Sequence, residues 1–342
     1  MSLAWLIPVA FVLSYFLTAV LRRYALSQSL LDVPNARSSH STPTPRGGGV
    51  AIVMTFMAAL VVLGGLGQMP ASVCLGLGGG GLLVAIIGFL DDHGHIAARW
   101  RLLGHFLAAA WALFWLGGVP SMMVFGLPVE PGMVISMLGL LYLVWMLNLY
   151  NFMDGIDGIA SVQAVSSCLG ACLLYGLTGH MTDTWGPLLL ASAAAGFLCW
   201  NFPPARIFMG DAGSGFLGIM LGGLSLHAAS LDGELFWSWL ILMGVFIVDA
   251  TFTLLRRLLR GDKVYEAHRS HAYQYASRYF GRHLPVTLAV LAINLGWLLP
   301  IAVACVMFEL DGAVGVLLAY APLVPLAVKF HAGERETDVR KG

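Results

Sequence analysis

Between residues 148 and 158 the chain reads Asn-Leu-Tyr-Asn-Phe-Met-Asp-Gly-Ile-Asp-Gly, directly after an apolar run. Asn148, Asn151, Asp154 and Asp157 recur every three residues, so on a helix or a string of turns they fall roughly on one side, and Gly155 and Gly158 permit close backbone approach. Alone, the stretch could be a polar helix cap with a glycine turn. Other segments carry matching chemistry. Asp91 and Asp92 end an apolar run just before His93 and His95; adjacent carboxylates there oppose the helix dipole and each other unless a cation is present. Phe208-Met-Gly-Asp211-Ala-Gly-Ser214-Gly sets a carboxylate among glycine N–H donors at the start of another run, without the Gly-Lys-[Ser/Thr] ending of a nucleotide triphosphatase loop. Loop 256–284 holds His268, Arg269 and His271, which suit an anionic group. Loop 22–47 has three prolines and the cations Arg37, His40 and Arg46, and leads into Gly47 to Gly49, whose N–H groups can meet an anion at a helix start. Asp91, Asp92, Asp154, Asp157 and Asp211 together make a hard-oxygen set that suits Mg²⁺, with Mn²⁺ as the alternative, and such ions pair with diphosphates.

These residues need a scaffold that brings distant segments to one surface. The 342-residue chain is 58% hydrophobic and 11% charged, with a mean hydropathy of +0.82, outside the soluble range. About eleven apolar segments are long enough to cross hydrocarbon, at about 3–21, 48–68, 71–90, 102–119, 133–150, 159–178, 185–202, 212–231, 235–255, 285–307 and 312–330. Barrel-type alternation is absent, so the expected fold is an all-α polytopic bundle forming a single membrane-embedded domain over 1–342. With this division, all 18 Lys and Arg residues fall in loops or, for Lys329, at a segment end on one side, whereas the opposite loops carry Glu130, Asp183, Asp232, Glu234, Glu309 and Asp311. Basic loops stay cytoplasmic, which places the N-terminus outside, the C-terminus in the cytoplasm, and the loops at about 22–47, 91–101, 151–160, 202–212 and 256–284 on the cytoplasmic face. Asp249, inside the ninth segment, must face the bundle interior and find a partner.

The motifs Asp91-Asp92, Asn148-x-x-Asn151-Phe-x-Asp154-Gly-x-Asp157-Gly, Phe208-Met-Gly-Asp211-x-Gly-Ser214 and His268-Arg-Ser-His271, in this order, resemble the polyprenyl-phosphate N-acetylhexosamine-1-phosphate transferases over about residues 32 to 275. The resemblance implies transfer of a sugar-1-phosphate from a UDP-N-acetylhexosamine to undecaprenyl phosphate with release of UMP, in the bacterial inner membrane. By the same resemblance Asp91, Asp92 and Asp211 are catalytic, and Asp92 and Asp211, with Asp154, hold Mg²⁺. Asn148, Asn151, Asp154 and Asp157 hold nucleotide and metal, Phe208 stacks on uracil, and His268, Arg269 and His271 bind donor phosphates or sugar. Membrane lipids surround the enzyme, a homodimer is the implied oligomer, and no nucleic-acid partner is expected. His268-x-x-His271 replaces the consecutive histidines of the phospho-muramoyl-pentapeptide enzymes, which favours initiation of an O-antigen or lipopolysaccharide-type glycan over peptidoglycan synthesis. A nucleotide-sugar transporter is the alternative of a different class, but transporters place their ionisable sites near mid-membrane, not at one face.

Overall fold

In a computed structural model, residues 3–34, 42–94, 96–263 and 268–335 are described; Arg37, His40 and His95 lie outside them. In chain order the helices are α1 (Leu6–Ser27), α2 (Val50–Gly65), α3 (Ala71–His93), α4 (Ala98–Trp115), α5 (Met133–Met153), α6 (Ile159–Leu177), α7 (Trp185–Asn201), α8 (Asp211–Leu231), α9 (Gly233–Leu242), α10 (Gly244–Leu259), α11 (Ala272–Phe280), α12 (Leu284–Ile293), α13 (Leu299–Met307), α14 (Gly312–Tyr320) and α15 (Leu323–Lys329). Every apolar segment drawn from the sequence is helical. Seven helical stretches are long and apolar enough to cross a membrane, or eight if the bent pair α9 and α10 is one span. The helices α2, α4 and α7, of 16, 18 and 17 residues, are too short or too polar to count alone. Among the described residues the only strands form two small antiparallel hairpins, β1 (Leu31–Asp32) with β2 (Thr44–Pro45) and β3 (Met122–Val124) with β4 (Leu127–Val129). The protein is a polytopic all-α membrane protein.

Helices dominate because a backbone in hydrocarbon must satisfy its hydrogen bonds within its own segment. The core is centred on α8, which is buried on nearly every face and packs against α3 and α5. The helix α8 begins at Asp211, one of the candidate site residues.

Two departures from the sequence expectation bear on the site. The ninth segment bends by 71° between α9 and α10. The carbonyl of Leu242 at this break accepts hydrogen bonds from Gln163 Nε2 (2.9 Å) and Ser167 Oγ (3.1 Å), so this acceptor stays paired where the helix bends. Loop 256–284, expected from sequence as a loop, contains α11. Its cause lies in α10: Asp249 accepts hydrogen bonds from the N–H groups of Ala272 (2.9 Å) and Tyr273 (3.0 Å), capping α11 from another helix.

Candidate active site

The ends of α3 and α8 meet at the acidic cluster. Gly88 lets them touch, since a Cβ there would lie 2.5 Å from the backbone of Asp211 and Ala212. One turn later, the buried Asp92 accepts from the N–H groups of Asp211 (3.2 Å) and Ala212 (3.4 Å), so a carboxylate of one helix caps the positive end of the other. Gly210, at φ +78°, makes the turn into α8, and a Cβ there would stand 2.6 Å from Asp92 Oδ2. The backbone carbonyl of Asp92 accepts from Arg46 Nη2. Gly48 and Gly49 donate their N–H groups to the carbonyls of Phe208 and Met209 (2.9 Å each). They therefore brace the loop before α8, in place of the anion contact expected of them.

Arg101, one residue that the sequence motifs do not single out, organises the next layer. Its Nη1 lies 2.6 Å from Asp91 Oδ2 and 3.5 Å from Asp211 Oδ2, and Asp91 also accepts from the N–H of Ile96 (2.8 Å). Asn151 Nδ2 donates to Asp211 Oδ1 (2.9 Å) and to Ser214 Oγ (3.0 Å), tying α5 to α8. Asp154 follows just after α5. Burial and the carboxylates of Asp211, Asp92 and Asp157 push its pKa well above the usual carboxylate range.

Asp157 is placed differently. Its Oδ1 lies 3.0 Å from His283 Nδ1, its Oδ2 accepts from the N–H of Ala205 (3.0 Å), and its backbone carbonyl accepts from Thr287 Oγ1 (2.8 Å). Asn201, also absent from the sequence reading, bridges the same loops, accepting from Gly158 N–H and donating to the carbonyl of Ile207 (2.9 Å each).

On the far side, Asp249 faces the bundle interior as expected, and its partners prove to be α11 and its flanks. Beyond the two N–H groups, Asp249 Oδ1 accepts from Thr253 Oγ1 (3.2 Å) and lies 3.3 Å from His271 Nδ1. This contact directs His271 Nε2, which is buried without a hydrogen-bond partner, to the remaining side of the ring. His268 stacks on His271 with centroids 5.0 Å apart and receives the hydroxyl of Ser270 at Nδ1 (2.9 Å). Burial, then His271 and Arg257, lowers its pKa to about 3, so its ring is neutral and adds no charge at neutral pH.

These groups are divided among three cavities. A cavity of about 750 Å³ is lined by the polar side chains of Arg101, Asn148, Asn151, His268 and His271 and by the apolar ones of Leu102, Leu141, Val144 and Leu254. Asp157 and Phe208 line a second, of about 580 Å³, with Thr44 and His283. Arg269 lines a third, of about 360 Å³, with Arg260, Asp262 and Glu334, and His268 borders this one as well as the first. Among the described residues no three His, Cys, Asp or Glu side chains form a closed metal cage. The donors are nonetheless hard oxygens, and the raised pKa of Asp154 marks negative charge that a cation would offset, so the set of Asp92, Asp154 and Asp211 fits Mg²⁺ in its chemistry.

Known proteins resemble this chain over the segments that carry the site. The model of glycosyl transferase family 4 matches residues 74–229, which include α5, most of α3 and of α8, and their acidic ends. A probable undecaprenyl-phosphate N-acetylglucosaminyl 1-phosphate transferase of Bacillus subtilis is 29% identical over 278 residues, covering 78% of this chain and 76% of its own. An undecaprenyl-phosphate alpha-N-acetylglucosaminyl 1-phosphate transferase of Thermotoga maritima is 29% identical over 272 residues, covering 79% and 81%. A phospho-N-acetylmuramoyl-pentapeptide-transferase of Desulforudis audaxviator is 31% identical over 299 residues, covering 77% and 85%. On this similarity across most of its length, the chain belongs to glycosyl transferase family 4.

Proposed function

We propose that the protein transfers an N-acetylhexosamine-1-phosphate from a UDP-sugar to undecaprenyl phosphate, releasing UMP and initiating a lipid-linked glycan of the O-antigen or lipopolysaccharide type. One observation carries this reading: Arg101 and Asn151, which hold the carboxylates of Asp91 and Asp211, line a cavity whose walls also include Leu102, Leu141, Val144 and Leu254, which suits a charged donor meeting a lipid acceptor. The reading places the enzyme in the bacterial inner membrane with eleven spans, the N-terminus outside and the site on the cytoplasmic face, in line with the one-sided distribution of Lys and Arg.

Asp92, Asp154 and Asp211 would hold Mg²⁺, which when bound neutralises charge on the diphosphate. Asp91, held by Arg101 and the N–H of Ile96, acts by aiming the Arg101 guanidinium at phosphate oxygens. Asn151 orients Asp211, and Phe208 offers a face for uracil beside Asp157. His271, oriented by Asp249, turns Nε2 toward the donor sugar or phosphates. The acceptor phosphate is already largely anionic at neutral pH, so direct in-line attack needs little from a strong base, and the chain's main contribution is placement and charge.

Phospho-muramoyl-pentapeptide transfer is the second reading, favoured by the 31% identity to such an enzyme. Offering UDP-N-acetylglucosamine, UDP-linked 6-deoxy-N-acetylhexosamines and UDP-N-acetylmuramoyl-pentapeptide side by side separates the two. UMP release with a simple N-acetylhexosamine donor supports the first reading; release with the pentapeptide donor alone replaces it.

A further inference from the structure

After α15 the chain turns back onto the segment that carries His268, Arg269 and His271. His331 (φ +54°) and Gly333 (φ +77°) both take left-handed backbone, and residues 332–334 come to lie against α10 and α11. Ala332 is fully buried and packs with Ala327 and with Ala272, the first residue of α11. Its carbonyl accepts from Arg256 Nη1 (3.1 Å), and the carbonyl of Gly333 accepts from Arg260 Nη1 (2.7 Å). Glu334 Oε1 lies 2.8 Å from Arg256 Nη2, and the Glu334 carbonyl accepts from Tyr275 Oη of α11 (3.1 Å). The N–H of Gly333 donates to the carbonyl of Ser270 (2.7 Å), between Arg269 and His271.

Residues 268–271 lie outside any helix or strand, so their shape depends on contacts from elsewhere in the chain. Asp249 of α10 holds one end, through the ring of His271 and the N–H groups of Ala272 and Tyr273. Two helical turns on, and so on the same face of α10, Arg256 holds the returning segment whose Gly333 is bonded to Ser270. The loop is thereby gripped twice from one helix. A loop ordered before its ligand arrives spares the ligand the cost of ordering it, so loosening the second grip weakens binding of whatever the loop meets.

We propose that residues 332–334 form a strap that pre-orders the loop 268–271 for the donor, with Arg256 and Gly333 as positioning residues. This role rests on the transferase reading above, in which the loop meets the donor's sugar or phosphates. The test measures initial rates of the purified full chain against polyprenyl phosphate and against the UDP-sugar that the wild type uses. Gly333→Pro removes the N–H to Ser270 and the left-handed turn, and Arg256→Met removes both side-chain bonds to the strap. Each is expected to raise the donor KM about threefold to tenfold, while the acceptor KM and kcat at saturating donor stay within about twofold of wild type. Arg256→Lys, which keeps a cation with N–H donors, recovers most of the donor affinity. Both lesions act on one strap, so the double variant should bind donor little worse than Gly333→Pro alone. If Gly333→Pro does not fold, Arg256→Met reads the same KM. A purely structural role would reduce the amount of active protein, lowering kcat with both KM values unchanged, and that result overturns the proposal. So does an unchanged donor KM in either folded variant, or a shift confined to the acceptor KM. A wild-type protein that transfers nothing from any UDP-sugar would instead overturn the transferase reading itself.

Discussion

Replacing Asp249 tests whether one buried carboxylate both holds α11 in place and aims His271. Asp249 is 6% exposed and serves the N–H groups of Ala272 and Tyr273, the hydroxyl of Thr253 and the ring of His271. Removing a helix cap costs about 1 kcal/mol, and hydrogen bonds to a charged group contribute roughly 1.5–3 kcal/mol each before the remaining groups relax or find water. Asp249→Ala is therefore expected to destabilise the protein by about 3 kcal/mol. Asp249→Asn keeps one acceptor oxygen, so the loss of stability should be about 1 kcal/mol. Its amide no longer fixes the His271 ring as a carboxylate does, so turnover should fall at least tenfold. Thermal unfolding in detergent paired with UMP release separates the two effects. An Asp249→Asn protein with wild-type turnover, or an Asp249→Ala protein of unchanged stability, would refute the assignment.

Arg101→Met should remove the guanidinium between Asp91 and Asp211 and lower turnover by two or more orders of magnitude with the fold intact, since one charge-assisted contact to a reacting phosphate contributes roughly 3 kcal/mol. Gly88→Ala would drive a Cβ into the backbone at the start of α8, and thermal unfolding should register a loss of about 1–3 kcal/mol together with reduced activity. The pKa of His268 falls to about 3 in the folded protein against about 6.5 unfolded, so below pH 6.5 the unfolded chain binds a proton that the folded one does not. Stability should therefore decline as the pH drops from about 6.5 toward 3, and His268→Gln should flatten that decline in unfolding midpoints taken from pH 7.5 to 4.5.

Much of this architecture is legible in the sequence because hydropathy acts over whole segments. Each apolar run became helix, and Asp91, Asp92, Asp154 and Asp211 do gather at one end of the bundle, as their positions at the ends of those runs imply. What escaped was set by contacts between distant residues. Arg101 stands ten residues after Asp91 in no motif, and its role exists only because α4 returns beside α8. Asp157 has the same spacing as its neighbours Asn151 and Asp154, yet its carboxylate goes to His283, 126 residues away, and lines a different cavity. The helix α11 is short and polar; besides its local capping box between His271 and Gln274 and its left-handed Gly281, its N-terminus is capped from α10, a contact no local pattern announces. The 71° break after Leu242 involves no proline and depends on Gln163 and Ser167 to satisfy the freed carbonyl.

The central claim is that the carboxylates at the ends of α3, α5 and α8 act with Mg²⁺ to move a sugar-1-phosphate onto a lipid. It is tested most directly by incubating the purified protein with undecaprenyl phosphate, a UDP-N-acetylhexosamine and Mg²⁺, and following both UMP and the lipid-linked product. The wild type should form the two in equal amounts, EDTA should stop both, Mg²⁺ should restore them, and folded Asp92→Asn and Asp211→Asn proteins should form neither. Product formation that persists in EDTA, or in either variant at the wild-type rate, would contradict the account.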